Sequence, residues 1–378
     1  MRDMVEIGMG RTARRTYELD DINIVPSRRT RSSKDVSTTW QLDAYRFDIP
    51  VVAHPTDALV SVEFAIELGR LGGLGVLNGE GLIGRHADVG ARIAEVVAAA
   101  EKEPDPSAAI RLLQQLHSAP LDPDLLGAAV GQIRDAGITT AVRISPQNAR
   151  ALTPTLVAAG IDLLVIQGTI ISAERVASDG EPLNLKTFIS ELDVPVVAGG
   201  VLDHRTALHL MRTGAAGVIV GYGSTSGVTT SDEVLGISVP MATAIADAAA
   251  ARREYLDETG GRYVHVLADG DIHTSGDLAK AIACGADAVV LGTPLSSAAE
   301  ALGGGWFWPS AAAHPSLPRG ALLQVAVGER PSLARVLNGP SDDPFGSLNL
   351  VGGLRRSMAK AGYCDLKEFQ KVGLTVGN

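Results

Sequence analysis

Aromatic residues are scarce in this sequence, 4% of the chain as three Trp, six Tyr and six Phe, which argues against an extended surface for stacking nucleic-acid bases. Basic residues are outnumbered: 33 Lys and Arg against 43 Asp and Glu leave a formal charge of −10, the wrong sign for DNA or an anionic membrane surface. A small phosphorylated ligand stays open, because backbone dipoles bind it without net positive charge. The only cysteines, Cys284 and Cys364, are far apart and show no C-x-x-C spacing, so neither a zinc site nor a redox pair is legible. Eight histidines are scattered without close spacing, and none reads as a metal ligand. No apolar run approaches the roughly 20 residues of a membrane span. The stretch Met1 to Met9 carries Asp3 and Glu6 instead of the apolar region of a signal peptide, so a reduced, cytoplasmic setting is the expectation. Gly8-Met9-Gly10 is too short for a dinucleotide fingerprint. The basic run Arg28-Arg29-Thr30-Arg31 reads as a solvated loop or an intersubunit contact.

What the chain has in quantity is apolar residue, 46% of 378, with a moderate 20% charge, enough for a large packed core and too little charge for disorder. Short β-branched runs recur at Ile49 to Ala53, Gly73 to Leu77, Thr139 to Ile144, Asp162 to Ile166, Val194 to Ala198, Ala216 to Val220, Val264 to Ala268 and Asp287 to Leu291. Between them lie helical patterns, among them Ser61 to Leu71, Asn148 to Ala159, Asp203 to Thr213 and Ser275 to Cys284, with apolar residues at i, i+3 and i+4. Continuous apolar strands alternating with amphipathic helices predict a parallel sheet covered by helices, and eight such units close an α/β TIM (β/α)8 barrel. An internal echo supports the count: Ala198-Gly199-Gly200-Val201 followed by Gly214 to Gly221 returns as Ala268-Asp269-Gly270-Asp271 followed by Gly285 to Gly292.

Two segments break the rhythm. Glu101 to Pro106 is a polar, proline-broken linker, and Ala301 to Pro344 is rich in Gly, Pro, Ala and Ser with no clear strand or helix. The second, containing Trp306-Phe307-Trp308 and His314 to Gly320, is long enough for a lid, with a surface excursion or subunit contact as the alternative. From Gly353 to Phe369 the tail reads as a helix, a turn and a second short helix.

Barrels of this kind commonly bind phosphate where strands seven and eight end, through backbone amides and a helix N-terminus. The parts are present: Ala268-Asp269-Gly270-Asp271 ahead of a capping-box pattern Thr274-Ser275-Gly276-Asp277, then Gly292-Thr293 after strand eight. Asp271 works against an anion there, because like charges repel; either its side chain points away or the site is weakened.

The stretch Val266 to Val289, the opening Tyr17-Glu18-Leu19-Asp20-Asp21-Ile22-Asn23-Ile24-Val25-Pro26 and the later Gly352-Gly353-Leu354-Arg355-Arg356-Ser357-Met358 resemble the IMP dehydrogenase/GMP reductase family, in particular its IMP-dehydrogenase-related branch, GuaB family 3. The resemblance implies one barrel domain over residues 1–378, with residues 80–135 a helical segment where many relatives carry a CBS (Bateman) pair, and residues 301–344 a lid or flap. It implies a purine nucleotide ligand (IMP, GMP or XMP), NAD or NADP as cofactor, and a homotetramer. It places Asp269 on the ribose hydroxyls and Gly270, Gly292, Thr293 and Ser226 around the phosphate.

The departures are as specific. The family's loop cysteine, which attacks purine C2, is missing from Gly223-Ser224-Thr225-Ser226-Gly227-Val228-Thr229-Thr230-Ser231, where Thr229 and Thr230 offer only hydroxyls. Gln167 stands for the aspartate that binds the cofactor ribose, and Gly200, after Gly199, for an asparagine. Cys284 and Cys364 read as buried small apolar residues and no substitutes. IMP dehydrogenase turnover is therefore expected to be absent or very low. A non-catalytic nucleotide-binding or scaffolding relative is one alternative. An FMN-dependent barrel oxidoreductase is another, disfavoured because strands one and two end in His54-Pro55-Thr56-Asp57 and Asn78-Gly79-Glu80 without a lysine or arginine for the flavin ring.

Overall fold

The structure, a computed structural model, describes residues 4–102, 105–168, 171, 183–223, 232–309 and 321–377. Eight strands build its central sheet: β1 (Val51–Ala53), β2 (Val76–Asn78), β3 (Ala141–Ile144), β4 (Leu163–Gln167), β5 (Val196–Val201), β6 (Gly217–Gly221), β7 (His265–Asp269) and β8 (Ala288–Leu291). Each pairs in parallel with its chain neighbour from β2 to β8, and β8 pairs with β1 through Val289 to Val51, Val290 to Val52 and Leu291 to Ala53. A parallel bridge from Val52 to Leu74 brings the remaining edges together, so the sheet is a nearly closed TIM-like barrel. Nearly every strand residue is buried, as expected where one face meets the barrel interior and the other meets helices.

The interior is packed. Leu42, Val52, Val165, Val197, Leu267 and Val290 are among the side chains around a residual void of about 20 Å³. Leu42 comes from a strand pair, Trp40–Leu42 with Tyr45–Phe47, that plugs the end where the strands begin; Trp40 Nε1 donates to the Ile49 carbonyl at 2.8 Å to fix it.

Outside lie α1 (Val62–Arg70), α2 (Val89–Lys102), α3 (Ser107–His117), α4 (Pro123–Asp135), α5 (Ala149–Ala159), α6 (Leu185–Ser190), α7 (His204–Arg212), α8 (Asp232–Leu235), α9 (Met241–Thr259) and α10 (Ser275–Ala283). Then follow α11 (Thr293–Ser296), α12 (Leu333–Asn338), α13 (Leu350–Ala361) and α14 (Leu366–Phe369). The predicted strands and helices are all present, with ends displaced by up to three residues. Helix α1 shows why: the Ser61 hydroxyl accepts from Phe64 N at 3.0 Å, Glu63 and Arg70 complement its dipole, and Val62, Phe64, Ala65 and Leu68 face the barrel.

Between β2 and β3 the described residues hold helices and no strand, so no CBS pair sits there. Helices α2 and α3 build a second, smaller core from Ile93, Val96, Ala100, Ala109, Leu113 and Leu116, closed by Trp308 and Leu322. The expectation of no regular structure over residues 301–344 needs correcting. Trp306–Phe307 pairs antiparallel with Leu323–Gln324, and α12 follows. Sequence periodicity misses a two-residue strand pair whose partners are this far apart. The middle of that segment, with His314 to Gly320, lies outside the described residues. Cys284 and Cys364 are half-buried rather than fully buried.

Candidate functional site

All eight strands end at the same mouth, and six of those ends carry the polar groups that matter. Asp269, the last residue of β7, is 1% exposed. Its Oδ2 accepts from Gln167 Nε2, at the end of β4, at 2.8 Å, and its Oδ1 lies 3.3 Å from Nδ1 of His54, which follows β1. Backbone geometry makes room for this: Gly223 N donates to the Asp269 carbonyl at 3.0 Å, and Gly223, at φ +93, presents no Cβ where one would stand 3.1 Å from His54 Cε1. Three buried polar atoms in this group, His54 Nδ1, His54 Nε2 and Gln167 Oε1, have no hydrogen-bond partner among the described residues, so the His54–Asp269 approach is a close charge contact and not a formed hydrogen bond. Such atoms are costly unless something supplies the missing bond.

Behind Gln167 the network continues to β2 and β3. Arg143 Nη2 donates to the Gln167 carbonyl at 2.7 Å and its Nη1 to Glu80 Oε2 at 3.1 Å. Glu80 also accepts from Ser145 N at 2.6 Å, from the Ser145 hydroxyl at 2.8 Å and from the Asn148 amide. Burial pushes the Arg143 guanidinium below its ordinary range, and Glu80 and then Asp57 oppose the shift. These contacts stiffen the β2–β4 side of the mouth.

On the other side stand the predicted phosphate residues. Gly270, Gly292 and Thr293 follow β7 and β8 and share the mouth with Asp269. Each glycine also has a packing reason: a Cβ on Gly270 would stand 2.8 Å from Met241 Cγ and Sδ, and one on Gly292 would stand 2.9 Å from Phe307 Cε2 and Cζ. The capping box of α10 is present, with Thr274 and Asp277 bonded reciprocally. It occupies the approach to the helix: Asp277 Oδ2 accepts from His273 N and Thr274 N, while Ser275 N donates to the Gly346 carbonyl. A small cavity of about 90 Å³ opens beside Asp269, with Glu18, Tyr222, Met241 and Asp271 on its walls.

Asp271 points toward His273: its Oδ1 lies 3.7 Å from His273 Nε2, while Nδ1 of the same ring is 3.1 Å from Thr293 Oγ1. Asp271 raises the His273 pKa above its ordinary value, against the effect of burial.

Ser226, Thr229 and Thr230 lie outside the described residues. Gln167, Gly199 and Gly200, the positions given to a nicotinamide dinucleotide, hydrogen-bond within the barrel, Gln167 through its Nε2 and with its Oε1 left over. Gln167 holds Asp269, the Gly199 carbonyl accepts from Gly168 N at 2.9 Å, Gly200 N donates to the Gly168 carbonyl at 3.1 Å, and the Gly200 carbonyl accepts from Ile171 N. Cys284 sits at the end of α10, away from the mouth, and burial pushes its thiol up to about 12, so it is no nucleophile.

Sequence reasoning missed His54. Its one signal is position, immediately after the first barrel strand on the side where active residues of this fold gather. Asp57 and His117 form another buried pair, Oδ2 to Nε2 at 3.0 Å, that joins the loop after β1 to α3.

The IMP dehydrogenase / GMP reductase domain matches residues 16–312. An uncharacterized oxidoreductase of Mycolicibacterium smegmatis is 91% identical over 375 residues, covering 99% of this chain and 100% of that one. An uncharacterized oxidoreductase of Mycobacterium tuberculosis is 88% identical over 374 residues, with the same coverage. Inosine-5'-monophosphate dehydrogenase of Haemophilus influenzae is 38% identical over 178 residues, 47% of this chain and 31% of that enzyme. Among solved structures, an IMP dehydrogenase/GMP reductase-like protein from Corynebacterium glutamicum superposes with a TM-score of 0.93 at 60% identity, covering 99% of this chain and 98% of the other. With a barrel of this topology, a polar mouth and a domain match over most of its length, the chain belongs to the IMP dehydrogenase/GMP reductase family.

Proposed function

We propose that the chain binds a purine 5′-nucleotide, IMP, GMP or XMP, at the mouth of the barrel, and that it is an oxidoreductase-type member of its family whose IMP dehydrogenase turnover is absent or very low. The observation that carries the binding half is the Asp269 group. A buried carboxylate hydrogen-bonded by Gln167 and approached by His54, with both His54 ring nitrogens and Gln167 Oε1 unpartnered among the described residues, is a preorganised seat for a polyhydroxylated ligand such as a ribose. Gly270, Gly292 and Thr293 are then the phosphate side, and Ser226 joins them by family resemblance. The names of the highly similar mycobacterial relatives support the oxidoreductase class.

The catalytic half is limited by chemistry. Covalent attack on purine C2 needs an activated thiolate, and the loop 224–231 supplies hydroxyls and a valine. A nicotinamide dinucleotide would accept or supply the hydride, and Gln167, Gly199 and Gly200 are the residues that the family resemblance would put beside it. The homotetramer is assigned on the family resemblance, and the cytoplasmic setting on the cysteine pattern and the composition of Met1 to Met9.

Calorimetry with IMP, GMP and XMP tests binding, followed by a spectrophotometric hydride-transfer assay in both directions. The expected outcome is saturable heat with at least one nucleotide and no measurable NADH from IMP. Failure of all three nucleotides to bind a folded protein overturns the binding half. Robust NADH production overturns the inactive-site half.

A further inference from the structure

The mouth has a charge problem: a phosphate monoester is to be seated at Gly270, next to Asp271, and the His273, Thr274 and Ser275 amides leading into α10 are already taken by Asp277 and by the Gly346 carbonyl. We propose that His273 solves it, acting as a protonated relay between Asp271 and Thr293 that turns the Thr293 hydroxyl into a donor for the phosphate of the bound nucleotide. The inference rests on the nucleotide reading above and adds to it a recognition residue and a proton requirement.

The argument is one of hydrogen counting. His273 Nδ1 lies 3.1 Å from Thr293 Oγ1, and Nε2 lies 3.7 Å from Asp271 Oδ1. A hydroxyl has one hydrogen and two lone pairs. When the imidazole carries protons on both nitrogens, Nδ1–H donates to Thr293 Oγ1, and the hydroxyl hydrogen is released toward the mouth. When Nδ1 is unprotonated and accepts, the same hydroxyl spends its hydrogen on the ring and has only lone pairs left, which repel an anion. One proton on His273 therefore switches Thr293 from phosphate acceptor to phosphate donor, and also adds a positive charge beside the ligand.

The surroundings favour the charged ring. The charged groups that face His273 are Asp271, Asp277 and, from the N-terminal segment, Asp20; together they raise its affinity for the proton against partial burial. Asp271 thus has a role in place of an obstruction. It sustains the imidazolium that the phosphate needs, and the pair presents a compensated charge where a lone carboxylate would repel. Asp271→Gly is on this account not a route to tighter binding near neutral pH.

The test is isothermal calorimetry on the full chain with IMP and with inosine, which keeps base and ribose and lacks phosphate, at about pH 6.5 and about pH 9. Wild type, His273→Gln, Asp271→Asn and Thr293→Val are compared. For wild type the IMP affinity is expected to fall about tenfold across that range, the scale of one charge-assisted hydrogen bond, while inosine affinity stays level. His273→Gln holds IMP at the weaker level throughout; Asp271→Asn moves the fall to lower pH; Thr293→Val weakens IMP and flattens its profile. The ligand's own second ionisation, near pH 6, is common to all four proteins and cancels in the ratios. Parallel IMP profiles for wild type and His273→Gln overturn the relay while leaving nucleotide binding intact. If neither IMP nor inosine gives heat with folded protein, the nucleotide reading itself falls, and the relay with it.

Discussion

Two buried aspartates lie close in sequence at opposite ends of the barrel, Asp269 where β7 finishes and Asp287 just before β8 begins, and replacing each should do different things. Asp287 is 2% exposed and saturated. Its Oδ2 takes Arg252 Nη1 at 2.8 Å and Val266 N at 2.9 Å, and its Oδ1 takes Lys367 Nζ at 2.6 Å and the Tyr263 hydroxyl at 2.9 Å. This ties α9, the β7 start and the C-terminal α14 together. Burial opposes the Asp287 charge, but Arg252 and Lys367 outweigh it and bring the carboxyl from 3.8 to about 2.

That difference corresponds to roughly 2 kcal/mol of folding free energy at neutral pH. Asp287→Ala removes it and also strands Arg252, 6% exposed, so the cost is that of breaking a buried pair, about 3–5 kcal/mol. An unfolding entropy of about 2.1 cal/mol/K per residue over 378 residues makes 4 kcal/mol a melting shift of about 5 °C. The sign with pH follows from a depressed acid: the contribution is full above about pH 4 and is lost as pH falls from there toward about 2. Differential scanning calorimetry of wild type and Asp287→Ala should therefore show a gap that narrows on acidification, with IMP affinity unchanged at temperatures where both are folded. A neutral-pH shift under about 1 °C, or a gap that widens in acid, refutes the reasoning.

Three further outcomes are expected. Asp269→Asn, which keeps shape and loses charge, should weaken nucleotide binding by about tenfold or more with little change in melting temperature, and His54→Ala should do the same through loss of the unpartnered Nε2; equilibrium titration with IMP checks both. Trp308→Ala should cost about 3–5 kcal/mol of local stability, because Trp308 is wholly buried between α2, α3 and the barrel and its carbonyl accepts from the Thr56 hydroxyl. Hydrogen exchange should then show faster opening of residues 306–309 and of α2 and α3, leaving the barrel strands protected.

The barrel was legible because its strands are buried on both faces, which turns each into an unbroken apolar run that sequence reports directly. The capping box at Thr274 and Asp277 was legible for a similar reason, since the chemistry of a helix start is local. The second core was not. Ile93, Leu113 and Trp308 meet only in three dimensions, and nothing in residues 301–344 says that Trp308 leaves solvent for a cleft made by the insertion after β2. Gly270 and Gly292 were legible as glycines that permit close approach, but sequence could not say what approaches: Met241 and Phe307 fill the space that a Cβ would take.

Asp271 and His54 show where site chemistry escapes a linear reading. A carboxylate beside a phosphate turn looks like an obstruction until its neighbour is known, and the neighbour is an imidazole two residues on whose other nitrogen reaches a hydroxyl on the next strand's loop. His54 looks like one scattered histidine until β1 and β7 are set either side of β8, which puts its ring beside a carboxylate more than two hundred residues away in the chain. Both cases put imidazole next to aspartate at the mouth of a chain that lacks its family's thiol. Proton-bearing groups there can bind and orient a nucleotide, but they provide no sulfur to form a bond to purine C2. That difference separates retained recognition from retained turnover, and predicts that nucleotide affinity and dehydrogenase activity will part company in this protein.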